Sequence, residues 1–195
     1  MKLDIVFVGV GGQGIVVSSD IFCEAALLDG FDVAKAETHG MAQIGGSIIA
    51  HVRIGDDVLS PLIERGAGDI ILGFELLESV RALPMLKEKG KVIVNKKFIP
   101  PAAVLQGLVE FPDVDELMNT IRKRALRVYE VDGDSLAIEA GNAVTMSTVL
   151  LGALLAASEN PVREESLRKA MSHRFGAKYL DANFKALELG RKSVV

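Results

Sequence analysis

Apolar positions fall into distinct rhythms along this chain. Leu3-Asp4-Ile5-Val6-Phe7-Val8 is a β-branched run stopped by glycine, the pattern of a strand buried on both faces. Ile15 to Leu28 is mostly apolar and free of Pro and Gly, which predicts a helix. Asp20 and Glu24 share its exposed stripe, and Gly30 sits where a C-terminal glycine cap belongs. Asp32 to Glu37 predicts a second strand. Ser47 to Ile54 alternates: Ile48, Ala50, Val52 and Ile54 on one face, Ser47, Ile49, His51 and Arg53 on the other. Gly55-Asp56-Asp57 and the short apolar piece Val58-Leu59 follow, which predicts a hairpin.

Further strands are expected at Asp69–Phe74, Lys91–Asn95 and Arg127–Val131, and helices at Leu76–Leu86 and Asp113–Leu126. The second of these helices begins acidic and ends basic, as its dipole favours. The last third reads as helical. Ala143 to Ala157 is an apolar run, expected to be buried in the domain or in a subunit interface. Asn160-Pro161 suggests an N-cap with Pro at the first helical position, ahead of Glu164 and Glu165. Leu180, Phe184 and Leu187 stripe a final helix. This order predicts an α/β fold over a single domain, 1–195. Its sheet is Rossmann-like and mostly parallel, with an antiparallel hairpin insertion and a helical C-terminal tail from about residue 133.

Composition narrows the classes. The 195 residues are 49% hydrophobic, which excludes disorder, and the formal charge of −4 gives no case for nucleic acid or an acidic membrane surface. The 15-residue apolar run is shorter than the roughly 20 needed to span a bilayer. No leader peptide is visible, and a single cysteine fits a cytoplasmic chain. One cysteine, Cys23, also cannot hold an iron–sulfur cluster.

The chemistry concentrates at glycines. Gly9-Val10-Gly11-Gly12-Gln13-Gly14 fits the G-x-G-x-x-G spacing between a strand and a helix. Such a loop lets backbone N–H groups and a helix N-terminus approach a phosphate, with Gln13 as a further donor, or it simply lets strand and helix pack closely. The two readings weigh equally. Glu37, 23 residues after Gly14, stands where a dinucleotide site wants its ribose acceptor. The chain then enters a second glycine-rich loop rather than a crossover helix.

Taken together, Gly9 to Gly14, Glu37-Thr38-His39-Gly40-Met41-Ala42-Gln43-Ile44-Gly45-Gly46-Ser47 and Ala50-His51-Val52-Arg53-Ile54-Gly55 resemble the gamma-type subunit of 2-oxoacid:ferredoxin oxidoreductases. Ser60-Pro61-Leu62-Ile63, Leu72-Gly73-Phe74-Glu75, Val92-Ile93-Val94-Asn95 and Gly141-Asn142 are similar to that family too. Ile44 departs from the pattern, which often has a basic residue there, so that cation's contacts are not carried over. The resemblance implies a non-redox small subunit of an enzyme that oxidatively decarboxylates a 2-oxo acid, indolepyruvate or another aryl-pyruvate, to an acyl-CoA. It implies thiamine diphosphate and iron–sulfur clusters on a larger partner subunit, and ferredoxin reached through the complex; a phosphate-competent glycine loop beside a second glycine-rich loop, at the carboxyl ends of the first two strands, motivates the expectation that this chain helps hold coenzyme A. The nearest strings to a thiamine-type Gly-Asp-Gly here are Gly55-Asp56-Asp57 and Asp132-Gly133-Asp134. The expected cofactor-binding set is Gly9, Gly11, Gly12, Gln13 and Gly14 in the first loop, with Thr38, His39, Gly40, Met41, Gln43, Gly45, Gly46 and Ser47 in the second. A stand-alone NAD(P)-binding oxidoreductase using Glu37, and a ligand-free scaffold, are the competing readings. Self-association of the chain stays open.

Other polar residues have plainer readings. His39 lacks the nucleophile or paired carboxylate that catalysis would need, so no catalytic residue is assigned. His51 and Arg53 face either solvent or a subunit. Cys23 reads as core, and the Arg122-Lys123-Arg124-Arg127 cluster as a helix C-terminus. His173 lies in a helix near Lys169 and Arg174, and no residue set has metal-ligand spacing, so no metal is expected.

Overall fold

The computed structural model describes residues 2–40, 45–110, 113–157 and 161–194. Strand β1 (Lys2–Val10) is buried from Leu3 onward, and α1 (Ile15–Leu28) leaves the glycine loop directly after it. β2 (Asp32–His39) and β3 (Ser47–Gly55) follow, then β4 (Gly68–Gly73) and α2 (Leu76–Ala82). β5 (Leu86–Asn95), α3 (Ala102–Leu105), α4 (Val114–Arg124) and β6 (Arg127–Val131) complete the α/β part. The tail is α5 (Gly133–Ala140), α6 (Met146–Ala157), α7 (Glu164–Arg174) and α8 (Ala177–Lys192).

Six strands form one sheet in the order β2-β3-β1-β4-β5-β6. β1, β4, β5 and β6 pair in parallel, while β3 runs antiparallel to both β1 and β2. The antiparallel insertion is therefore real, but its partners differ from the expected hairpin. Val58-Leu59 forms no strand; β3 pairs backward with β2 and sideways with β1. Pro84 ends α2 earlier than expected, in a short 3-10 turn, and the chain is already extended from Leu86. α7 starts at Glu164 with Arg163 at its N-cap, so Pro161 precedes the helix rather than opening it. Asn160 lies outside the described residues.

Alternation along the strands divides the core. Leu3, Ile5 and Phe7 face α1 and the helical tail, and Phe7 lies against Phe22 and Phe74. Val6 and Val8 face α2, α4 and Ile63. The apolar run is buried within the domain: Met146 through Leu154 is covered, chiefly by α8. Backbone meets backbone there. A Cβ on Gly190 would lie 1.9 Å from the Val149 carbonyl oxygen, and one on Gly152 would lie 2.1 Å from that of Leu187.

His51 and Arg53 turn inward on the chain itself. The Arg53 guanidinium holds buried Asp4 and the carbonyls of Ser60 and Leu62. His51 Nδ1 accepts from the Ile63 N–H at 3.2 Å, and burial pushes the His51 pKa down, which suits that neutral acceptor. Together they clasp the extended segment 60–63 against the sheet. Cys23 is core, its thiol pushed up to about 12 by burial. The α4 cations serve the fold locally. Arg122 pairs with Glu130, Arg124 donates to the carbonyls of Leu86 and Lys87, and Arg127 lies over the Tyr129 ring. His173 Nδ1 sits 2.6 Å from Glu24 Oε1, joining α7 to α1.

Candidate functional site

The carboxyl ends of β1, β4, β5 and β6 meet one edge of the helical tail, and a cleft of about 660 Å³ opens between them. Its walls bring together Gly12, Gln13, Gly14 and Val17 from the first loop and α1, and Lys97 and Ile99 from the segment after β5. Asp134 of α5, the turn Asn142–Ser147, Phe175, and Tyr179 and Asn183 of α8 complete them. Ligands of open α/β sheets bind at this end, where strands hand over to loops and helix N-termini.

Each loop has a local cause. Gly9 is needed for packing: a Cβ there would lie 2.8 Å from Phe74 Cβ and 2.9 Å from Ile15 Cδ1. Gly12 has φ +100° with open space around it, and Gly14 has φ +80° beside Ser147. Gly14 stands at the N-cap of α1 and has no side chain with which to cap the N–H groups of that helix start. Asp132 caps α5 and Asn142 caps the turn into α6. Gln13 lines the cleft with its amide partly engaged. Its Oε1 accepts the Val10 N–H at 2.9 Å and its Nε2 donates one hydrogen to the Phe74 carbonyl at 3.0 Å, which leaves the second Nε2 hydrogen for a ligand. The side chain also pins the loop to the ends of β1 and β4.

Asn95 mirrors Gln13 from the other side. It is buried, donates to the same Phe74 carbonyl and to Asp134 Oδ2, and accepts the Gly133 N–H. Behind it, buried Glu75 accepts the N–H groups of Glu78 and Ile99. Burial raises the Glu75 pKa, and these N–H donors oppose the rise.

The described residues of the second loop meet the first loop and are not among the residues lining the cleft. Gly11 N–H donates to the Gly46 carbonyl at 2.8 Å, and Gly45 N–H to the Gly11 carbonyl at 3.3 Å. Gly40 N–H closes onto the Ser47 carbonyl, and Ser47 Oγ donates to buried Glu78. Thr38 and His39 stay in β2, with His39 half-exposed and 3.5 Å from Glu37. Met41, Gln43 and Ile44 lie outside the described residues. Glu37 pairs with Lys35 and His39, and β3 stands between β2 and the glycine loop's own strand. That sets it roughly 10 Å across the sheet from β1, two strand spacings rather than one. The ribose role expected from sequence spacing alone therefore fails.

Lys97, Asp134, Val144 and Tyr179 were not singled out by sequence reasoning. Lys97 and Asp134 each follow a recognisable strand, so the rule that ligands gather at carboxyl ends could have found them. Tyr179 arrives from the tail, which no local pattern signals. Among the described residues no group of three or more His, Cys, Asp or Glu could hold a metal ion, and no helix is long and apolar enough to cross a membrane.

Comparison with known proteins agrees with this architecture. Residues 4–193 match the family described as pyruvate ferredoxin/flavodoxin oxidoreductase. Indolepyruvate oxidoreductase subunit IorB of Archaeoglobus fulgidus is 38% identical over 195 residues, covering 100% of this chain and 96% of that protein. The subunit of the same name from Thermococcus kodakarensis is 39% identical over 193 residues, 98% of this chain and 96% of that protein. Among solved structures, the gamma subunit of a keto/oxoacid ferredoxin oxidoreductase from Geobacter sulfurreducens shares the fold. Its TM-score is 0.72 at 23% identity, covering 98% of each chain. A 2-oxoglutarate:ferredoxin oxidoreductase from Magnetococcus marinus, solved with 2-oxoglutarate, coenzyme A and succinyl-CoA bound, gives TM-score 0.75 at 21% identity; the match covers 99% of this chain but 31% of that one. The chain belongs to the pyruvate ferredoxin/flavodoxin oxidoreductase family, in its gamma-type small-subunit form.

Proposed function

We propose that this chain is the small subunit of a thiamine-dependent 2-oxoacid:ferredoxin oxidoreductase acting on indolepyruvate or another aryl-pyruvate, and that its cleft helps hold coenzyme A. The carrying observation is the end-to-end likeness, at 38% and 39% identity, to indolepyruvate oxidoreductase subunits. The cleft supports the second part. It offers a helix start with glycine at its N-cap, Lys97 and apolar walls, a combination suited to a phosphorylated ligand with an apolar arm.

The redox groups do not fit this chain. Cys23 is buried in α1 with its thiol pushed up to about 12, the reverse of what a cluster thiolate needs. Cluster-borne electron transfer is thus assigned to a larger partner subunit; the likeness to oxidoreductase subunits supports placing the thiamine chemistry there too, with this chain contributing binding surface. The placement of Glu37 counts against the stand-alone NAD(P) reading.

The test is anaerobic co-purification with the larger subunit, then viologen reduction with an aryl-pyruvate and coenzyme A. Activity only in the joined enzyme supports the subunit reading; a solitary, colourless chain refutes it. Gly12→Asp adds a negative charge at the open loop position, and Gly12→Asn, which carries the same backbone strain at φ +100° without the charge, is its reference. The KM for coenzyme A should rise about tenfold with the oxo-acid KM unchanged. Normal assembly with an unchanged coenzyme A KM would remove coenzyme A from this cleft and leave the subunit reading standing.

A further inference from the structure

Among the described residues of its walls, the cleft has one lysine and one carboxylate, and they pair with each other. Lys97 Nζ lies 3.2 Å from Asp134 Oδ1, with both side chains close to half-exposed. Neither sits on a loose segment. The Lys96 N–H donates to the Val131 carbonyl, the Lys97 carbonyl accepts from the Leu76 N–H, and the Ile99 N–H donates to buried Glu75. Three anchors thus fix the backbone that presents Lys97, while its four-carbon stem stays free to swing. Asp134 is fixed at its other oxygen: buried Asn95 donates to Oδ2 at 3.0 Å, and the Gly133 N–H ahead of it donates back to Asn95. The carboxylate has an anchor besides the pair, in Asn95, while the ammonium is held by the carboxylate.

We propose that Lys97 and Asp134 form a charge latch for a phosphate-bearing ligand. Lys97 is the cleft's cation for that ligand, and Asp134 is its built-in competitor. An anion entering between Lys97 and the start of α1 exchanges one ion pair for another, so the cleft rejects monovalent anions that cannot outbid a carboxylate. A ligand carrying two or more charges on neighbouring phosphates can. The half-exposed setting keeps the existing pair weak enough to break. This rests on the reading of the cleft as a coenzyme A site, and it adds which residue binds the phosphate and which opposes it.

The experiment is calorimetric titration of the full chain, at low salt, with inorganic pyrophosphate and separately with coenzyme A. Lys97→Met should weaken both about tenfold, and Lys97→Arg should restore binding to within about threefold. Asp134→Asn should tighten both about threefold, a gain that a merely structural residue would not give. In the Lys97→Met background that gain should shrink, because Asp134 acts largely through the lysine. Both sites are half-exposed, so the variants should fold, and melting curves check this. The pattern with pyrophosphate but no coenzyme A binding would uphold the latch and refute the coenzyme A reading. Coenzyme A binding that is indifferent to both residues would overturn the latch and spare that reading. An Asp134→Asn variant that binds more weakly, or a wild-type chain that binds neither probe, would overturn the latch.

Discussion

Replacing Gly190 by alanine should destabilise the protein, although helix propensity alone argues the opposite. Alanine in a helix interior is favoured over glycine by about 1 kcal/mol. Here the new Cβ would lie 1.9 Å from the Val149 carbonyl oxygen, 2.7 Å from its carbon and 3.0 Å from its Cα. Contacts under 3.0 Å are essentially never seen for real Cβ atoms, and the opposing atoms are backbone of a buried helix, not a flexible tip. α8 must retreat by about 1 Å. Overpacking of this kind costs roughly 1–3 kcal/mol, and a backbone-to-backbone clash belongs at the upper end. Subtracting the propensity gain leaves about 2 kcal/mol of net destabilisation. For a domain of this size that lowers Tm by about 4–8 °C. Urea and thermal melts of the full chain measure it. A variant as stable as the parent, or more so, would show that α6 and α8 do not meet backbone to backbone, and the packing argument would fall. The same retreat would move Tyr179 and Asn183, which α8 contributes to the cleft.

Two further outcomes follow from buried polar groups. Asn95→Ala leaves the Gly133 N–H without its acceptor and Asp134 without its anchor, and should cost about 2 kcal/mol in a urea melt. An effect under about 0.5 kcal/mol would mean that this hub is not formed. Asp29 ties α1 to α7. Burial alone would raise its pKa, but the Ser166 hydroxyl and the Arg163 N–H and guanidinium outweigh that and hold it below the ordinary value of 3.8. Because the folded value is the lower one, its contribution is full above pH 3.8 and is lost as pH falls through the folded pKa. Asp29→Asn should therefore melt earlier at neutral pH and show a flatter acid limb than the parent; parallel acid limbs would contradict this.

Much of the fold was legible because local rules and burial agreed. β1, its glycine loop and α1 were marked by a doubly apolar strand, a glycine stop and an uninterrupted helix. α6 was marked by an apolar run with nowhere to go but the core. What failed was pairing. Nothing local in Ser47–Ile54 says that it will lie between β1 and β2, and that placement alone moves Glu37 out of reach of the glycine loop. Side-chain roles were legible only by type. Gln13 has two donors, but its packing role could not be read from the sequence: Val10 N–H and Phe74 C=O engage its oxygen and one of its hydrogens. The cleft itself joins Gly12 to Asn183, and no periodicity spans that distance.

Of the six strands in this sheet, β1 is made before the other five and sits inside the finished sheet. β1 pairs with β3 on one side and β4 on the other, and its first partners in sequence, Ser47 opposite Val10 and Gly55 opposite Lys2, come dozens of residues later. A nascent chain carries Leu3–Val10, a flat apolar segment with open edges, until the chain through Gly73 has emerged from the ribosome. At ordinary synthesis rates of about 5–20 residues per second that is several seconds of exposure. α1 can form at once and fold its buried face over one side of the strand, while β2 and β3 close locally as a ready-made ladder. The antiparallel insertion thus sets the order of assembly: β2, complete at His39, does not pair with β1, and β1 gains its first neighbour only when β3 is complete at Gly55, bringing β2 with it as an already paired ladder.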